Sequence, residues 1–343
     1  MAPQNLPLPP YFQHVSFDTA WRVPYEQRAR EARDWAAQYQ LQPATRDTTR
    51  LGLLLIDEQN TFCLPDFELY VAGRSGNGAV EDSRRITEFI YHNLGNITRI
   101  TATMDTHQAQ QIFHAVFLVD EQGRHPEPYT LVTAEDFRSG KWRFNPALVD
   151  SLQRSEQEAN RYLQFYADSL ARIQKYDLTI WPYHAMLGGI GHALVSAIEE
   201  AIFFHTIARY SQPDLILKGS SPWTEAYSAI GPEITQDMRG EILGQKDDRI
   251  LHWLSDLEAL VIAGQAKSHC VAWTVDDLLK QIQNTDPNLA QKVYLLEDCT
   301  SPVVIPGVID YTEQADQAYE RYAQAGMHIV RSTDPIHTWL ISA

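Results

Sequence analysis

The sequence predicts a three-layer α/β/α fold on a six-stranded, mainly parallel sheet, with an N-terminal arm and a helical insertion. Six short apolar runs alternate with segments whose apolar residues recur at helical spacing. The runs are almost continuously apolar, as strands buried on both faces must be. Several end in a reactive side chain, and ligands of such sheets bind outside the carboxyl ends of the strands.

Residues 1–24 are Pro-rich with interleaved aromatics and read as an arm lying on the surface. Pro24 to Gln40 reads as a polar helix with Tyr25, Ala29, Ala32, Trp35, Ala36 and Tyr39 on one side. The arm and helix, 1–50, precede a single large domain, 51–343. Its strands are expected at Leu51–Asp57, Ile97–Met104, Asp214–Lys218, Ala259–Gly264, Lys292–Glu297 and Met327–Val330. Helices are expected over about 80–94, 191–209, 247–256 and 311–325, the last closed by Gly326. Another starts at Cys270, with Val271, Val275, Leu278, Leu279 and Ile282 on its apolar side. Residues 115–180 break the alternation and read as an insertion. Its pattern at Leu148, Leu152, Tyr162, Phe165, Leu170 and Ile173 is that of a helix which must bury one face. A cover over the mouth of the site and a contact in a homo-oligomer are its expected roles.

Composition narrows the function. With 44% hydrophobic and 21% charged residues, the chain can bury a large core. A net charge of −16 argues against nucleic acid and anionic membrane as partners. No apolar run reaches the length of a membrane span, and the N-terminus lacks the pattern of a signal peptide. Three scattered cysteines, Cys63, Cys270 and Cys299, do not make a disulfide framework. A cytoplasmic protein with reduced thiols is the expectation.

The strand ends carry the chemistry. Cys270 stands where a strand turns into a helix, and unpaired N–H groups at a helix start favour a thiolate and can hold an oxyanion. Asp57 follows the first strand and Lys218 ends the third. An acid can take the thiol proton and an ammonium can stabilise the charge left behind. Singly, Asp57 also reads as a cap and Lys218 as a solvated charge. A second cluster, Asp105, His107 and His114 with the later His184, offers carboxylate and imidazole but no thiolate. That donor set suits Zn, Fe or Mn, although a capping Asp and surface histidines would read the same way.

These motifs are similar to those of the isochorismatase-like cysteine hydrolases. The segment Ile56-Asp57-Glu58-Gln59-Asn60-Thr61-Phe62-Cys63 resembles their opening motif. Lys218-Gly219 with Ala226-Tyr227-Ser228 resembles their lysine motif, and Gly264 to Cys270 their nucleophile loop. Asp105-Thr106-His107, His114 and Trp181-Pro182-Tyr183-His184 resemble the metal motifs of the nicotinamidase branch. The resemblance covers about 51–115 and 180–332.

It implies a metal-assisted amidohydrolase that converts nicotinamide to nicotinate and ammonia through a Cys270 thioacyl intermediate. Asp57 would relay the proton, and Lys218 would hold the pair in its charge state. Asp105, His107 and His184 would ligate a divalent transition ion, zinc first and iron or manganese next, with His114 as a further or outer ligand. Phe62, Trp181 and Tyr227 would wall a flat ring, with His269 nearby, although all three aromatics also read as plain core. A cis peptide at Gln265–Ala266 would aim the Ala266 N–H at the oxyanion.

Three departures stand out: no proline follows His107, the insertion is long, and the first fifty residues fall outside the resemblance. Two rival readings therefore stay open. One is another isochorismatase-like hydrolase, acting on a different small amide, ureido compound or vinyl ether. The other is a binding or scaffold protein that kept the fold.

Overall fold

The computed structural model describes residues 5–339; the first four residues of the predicted arm lie outside it. Six strands form the main sheet: β1 (Leu51–Ile56), β2 (Ile97–Asp105), β3 (Asp214–Lys218), β4 (Ala259–Gly264), β5 (Val293–Leu296) and β6 (His328–Val330). The longer helices are α1 (Tyr25–Gln38), α2 (Gly78–His92), α3 (Glu156–Arg172), α4 (Ser196–Arg209), α5 (Arg249–Asp256), α6 (Cys270–Thr285) and α7 (Thr312–Gln324). All six sheet strands fall where the apolar runs predict them. Among the described residues, no helix is long and apolar enough to cross a membrane.

The strands lie in the order β6-β5-β4-β1-β2-β3. β1 pairs in parallel with β2 and β4, β4 with β5, and β5 with β6. Chain order therefore runs outward from β1 in one direction and from β4 in the other. The reversal between β1 and β4 is a topological switch point, where crossovers leave a crevice at the carboxyl ends. β1 and β4 are buried at every position, which explains their unbroken apolar sequences.

Contacts divide the chain into two compact units. The first takes in the chain up to Met104, Ala193–Ile216, and the chain from Asp248 on. In it α4 packs on α1 and α2, while α6 packs on α5 and α7, so two helix groups flank the strands. The side of α1 that is buried is Arg28, Ala32 and Trp35, whereas Tyr25 is exposed. A buried Glu200 on α4, 2.5 Å from Arg28 Nε, turns the helix toward its charged partner, a pairing that apolar periodicity does not register.

The second unit comprises Asp105–His192 and Leu217–Asp247. Its one long helix, α3, opens with a capping box in which Ser155 and Glu158 satisfy each other's backbone N–H groups. Tyr162, Leu163, Tyr166 and Leu170 are its buried large side chains, while the expected Ile173 is exposed. The buried side faces the 217–247 segment: the Tyr162 hydroxyl donates to the Trp223 carbonyl at 2.5 Å, and the Tyr166 hydroxyl accepts from the Glu225 N–H at 3.1 Å. Arg154 sits 4.4 Å over the Trp223 ring and pairs with Asp237 at 3.0 Å and Glu241 at 2.9 Å.

Candidate functional site

Two groups of reactive side chains emerge, one in each unit. The first forms at the switch point. β1 and β4 are level at their ends, Ile56 lying opposite Gly264, so Asp57 and Gln265 leave the sheet side by side. Gly264 makes this approach possible. Its φ is +118° and a Cβ there would lie 2.1 Å from the Ile56 carbonyl oxygen, so no other residue fits. The Gln265 N–H then donates to that carbonyl at 2.8 Å.

The chain next turns through Gln265–Ala266, which is a cis peptide as the resemblance implies. The Ala266 carbonyl accepts from the N–H groups of His269 at 2.9 Å and Val271 at 3.2 Å, tightening the loop into the start of α6. The Ala266 N–H makes no hydrogen bond among the described residues. Cys270 is the first residue of α6, whose first turn holds no acid. Its sulfur and an oxygen of Asp57 lie within 4.8 Å of each other, and both residues are buried.

Asp57 is held on its other side by a residue that sequence reasoning did not find. The Thr103 hydroxyl of β2 donates to Asp57 Oδ1 at 2.6 Å and accepts from the Asp57 N–H at 3.0 Å. This pins a backbone in the left-handed region, φ +47°. Phe62 is buried in the one-turn helix Asn60–Cys63 just after Asp57. His269 is buried too, with Nδ1 2.8 Å from the Ser268 hydroxyl and its ring edge-on to Tyr311 at 4.6 Å. Burial pushes its imidazole down to about 3, so it is neutral at ordinary pH.

The second group begins at Asp105, the last residue of β2. Ligand atoms of Asp105, His107 and His184 lie within 4.8 Å of one another, and all three residues are buried. His107 Nε2 is 3.0 Å and His184 Nε2 4.0 Å from the same oxygen, Asp105 Oδ2. Each imidazole has its Nδ1 at a backbone carbonyl: His107 at Gly219 (3.1 Å), His184 at Pro182 (2.7 Å), His114 at Gln108 (3.1 Å). In the neutral ring that partner fixes the tautomer and leaves Nε2 as the lone-pair nitrogen, the usual outer shell of a metal-binding histidine. Among the described residues the Nε2 atom of His114 is buried with no hydrogen-bond partner, while that of His107 faces only Asp105. His114 stands beside the other three residues, its ring centroid 6.0 Å from that of His107 and 5.9 Å from that of His184.

Gly219, at φ +81°, completes the pocket. A Cβ there would lie 2.6 Å from Asp105 Oδ1 and 2.7 Å from His107 Cε1. A hard carboxylate and imidazoles that turn buried Nε2 atoms toward it fit a divalent transition ion.

Electrostatics in this group follow from burial and pairing. Burial alone would raise Asp105, but the charges of His107 and Lys218 hold it well below the usual carboxylate range. Burial alone would lower His107, and Asp105 more than reverses it. His184 and His114 are pushed down by burial, His114 to about 4. Lys218 is itself buried, its ammonium 3.0 Å from Asp105 Oδ1 and donating to the Ala226 carbonyl at 3.0 Å. It is therefore no solvated charge. Next to Ala226, the Tyr227 hydroxyl accepts from Trp181 Nε1 at 2.9 Å, which brings together two of the expected ring walls.

No protein-family model and no curated protein matches the chain. Solved structures do. The nicotinamidase/pyrazinamidase of Acinetobacter baumanii is 18% identical with a TM-score of 0.49, covering 84% of this chain and 99% of its own. The yeast nicotinamidase Pnc1p bound to the inhibitor nicotinaldehyde is 19% identical with a TM-score of 0.49, over 82% and 99%. The pyrazinamidase of Pyrococcus horikoshii in complex with zinc is 18% identical with a TM-score of 0.42, over 82% and 98%. The resemblance is to nicotinamidases and pyrazinamidases.

Among the buried acids, Glu58 was read only as part of the opening motif and Asp82 not at all. Glu58 carried a signal, because an acid directly after Asp57 in a segment of buried residues has to be partnered or neutral. Asp82 carried none, since an acid in an amphipathic helix normally faces water.

Proposed function

We propose that the chain is a metal-assisted cysteine amidohydrolase of the isochorismatase-like superfamily, acting on nicotinamide. The observation that carries this reading is the pairing of Asp57 and Cys270 at the switch point, the thiol at a helix start and the acid within 4.8 Å of it. A buried carboxylate next to a buried thiol has one evident use, which is to take its proton.

In this reading the Cys270 sulfur bonds to the carboxamide carbon while its proton passes to Asp57. The N–H groups of Ala266 and Cys270 hold the oxyanion. Asp57 then returns the proton to the leaving nitrogen, the C–N bond breaks, and ammonia departs from a thioester. Water, deprotonated by Asp57, attacks the thioester carbon. The C–S bond breaks, the thiol regains a proton, and nicotinate leaves. Lys218 is assigned the third catalytic role, holding negative charge on the acid and thiol pair. Asp105, His107 and His184 are assigned as ligands of a divalent transition ion, zinc first, with His114 as a further or outer ligand. When bound, such an ion supplies a Lewis acid for a pyridine nitrogen. Phe62, Trp181 and Tyr227, with His269, are assigned to the ring.

Acid-quench trapping with nicotinamide, followed by peptide mass spectrometry, tests the covalent step. The nicotinoyl adduct is expected on the peptide containing Cys270; an adduct on Cys63 or Cys299 would sink the mechanism.

A further inference from the structure

We propose that Asp82 is a positioning residue for the nucleophile loop: from within α2 it fixes Gln265 and Ser301, and so holds the segment leading into Cys270 in its reactive shape. The inference rests on the cysteine-hydrolase reading above.

Asp82 is 2% exposed and lies past the first turn of α2, so its carboxylate is not capping its own helix. All its partners are donors. Oδ2 accepts from Gln265 Nε2 at 3.0 Å and from the Ser301 hydroxyl at 2.6 Å, and Oδ1 accepts from the Arg85 guanidinium at 3.0 Å. The other end of the Gln265 amide accepts from the Ser301 N–H at 3.3 Å, which closes a ring through Asp82, Gln265 and Ser301. A carboxylate is the side chain that this site requires. An amide in its place would turn an N–H toward one of the donors.

The ring extends into a strut after β5. The Ser301 carbonyl accepts from the Lys267 N–H at 2.8 Å, and the Cys299 carbonyl from that of Gly264 at 3.0 Å. The Val303 N–H donates to the Ser268 hydroxyl at 3.0 Å. α2 abuts the strut so closely that a Cβ at Gly78 would lie 2.5 Å from Ser301 Oγ. Every residue from Gly264 to Ser268 except Ala266 is thus tied to the strut or to Asp82, and Ala266 is the one left to meet a substrate.

The test compares Asp82→Asn with the wild-type full-length protein, and with Asp316→Asn as control. Asp316 is half-exposed and meets the outer side of the same loop through Lys267. Readouts are kcat and KM for nicotinamide, and affinities for nicotinaldehyde and nicotinate. The aldehyde adds to Cys270 as a thiohemiacetal: a C–S bond forms, the C=O π pair moves to oxygen, and the thiol proton ends there. Its affinity therefore reads the loop's donors, while nicotinate forms no bond to sulfur. We expect Asp82→Asn to lower kcat by about 100-fold, the scale of a small misplacement of reacting groups. Aldehyde affinity should fall by a similar factor, with nicotinate affinity within about threefold and the control unchanged. Should Asp82→Asn fail to fold, Ser301→Ala removes one arm of the ring and should show the same split at about tenfold. Wild-type turnover and adduct formation combined with unchanged kcat and aldehyde affinity per folded variant overturn the inference alone. No turnover and no aldehyde adduct in the wild type overturn the hydrolase reading, and the inference with it.

Discussion

Glu58→Gln tests the buried interior beneath the nucleophile loop. Glu58 is wholly buried; Oε2 accepts from the Ser83 hydroxyl at 2.8 Å and lies 3.7 Å from Cys63 Sγ. Burial, helped by the charge of Asp82, raises its carboxyl from 4.5 to about 8. In the unfolded chain it ionises near the lower value, and in the folded protein near the higher one. Between the two, the folded state keeps a proton that the unfolded chain has lost. The stability this confers is complete below about pH 4.5 and is lost as pH rises through about 8, at about 1.4 kcal/mol per pH unit. The whole loss is on the order of 5 kcal/mol. Glutamine keeps the acceptor for Ser83 and cannot ionise, so the variant lacks this loss. An entropy of unfolding of about 2.1 cal/mol/K per residue gives a chain of this length about 0.7 kcal/mol per kelvin. About 4 kcal/mol of that loss falls between pH 5 and pH 9, so relative to the wild type the variant's Tm should climb by about 5–6 °C over that range. Thermal melts of both proteins at intervals of one pH unit measure this. A Tm difference that does not change with pH would refute the claim that Glu58 is held neutral.

Asp57→Asn keeps shape and removes the base, so amide hydrolysis should fall by about 10²–10⁴-fold; a loss of tenfold or less in kcat/KM would make Asp57 structural. His107→Ala and Gly219→Ala should both purify without the roughly one divalent ion per chain expected of the parent, by elemental analysis. The glycine variant acts by driving a methyl group against Asp105 and His107, and equal metal content in parent and variant would contradict the assigned ligand set. Arg154→Ala leaves Asp237, whose side chain is 2% exposed, without its ion pair, and should cost about 3 kcal/mol by calorimetry. Arg154→Lys should recover only part of this, because an ammonium cannot stack on Trp223 as a guanidinium does.

Which parts of this were legible follows from what kind of signal each residue leaves. Strands buried on both faces announce themselves, as Leu51–Ile56 and Ala259–Gly264 do, whereas the expected burial fails at the sheet's edges, where Leu215 and Leu217 of β3 are exposed and β6 is half-buried. Asp57, Lys218 and Cys270 were readable because they stand where such runs stop. The strand order was not, since the same alternation of strands and helices allows several windings, and the switch between β1 and β4 depends on which way each crossover turns. The buried side of α1 shifted because a partner outweighs periodicity, Arg28 turning inward to the buried Glu200 of α4. In α3 the apolar residues were visible, but the register was fixed by what covers them. Tyr166 faces Glu225 and is buried, while Ile173, past the end of the helix, stays exposed. Thr103, Asp82 and Gly219 act through contacts with residues distant in sequence, and their types alone say nothing about this. The glycine of Lys218-Gly219 read as part of a motif, and its steric reason appears only when Asp105 and His107 are seen against it.

The central claim is that Cys270 breaks a carboxamide bond. The most direct measurement is ammonia release from nicotinamide by metal-analysed wild-type protein and by Cys270→Ala, with pyrazinamide and an aliphatic amide alongside. The wild type should release ammonia and nicotinate in equal amounts and prefer the two aromatic amides. The variant, whose alanine is well tolerated at a helix start, should fold with the same Tm to within a few degrees and release none above background. Ammonia release that survives in Cys270→Ala, or a wild type that leaves every amide intact, would contradict the account.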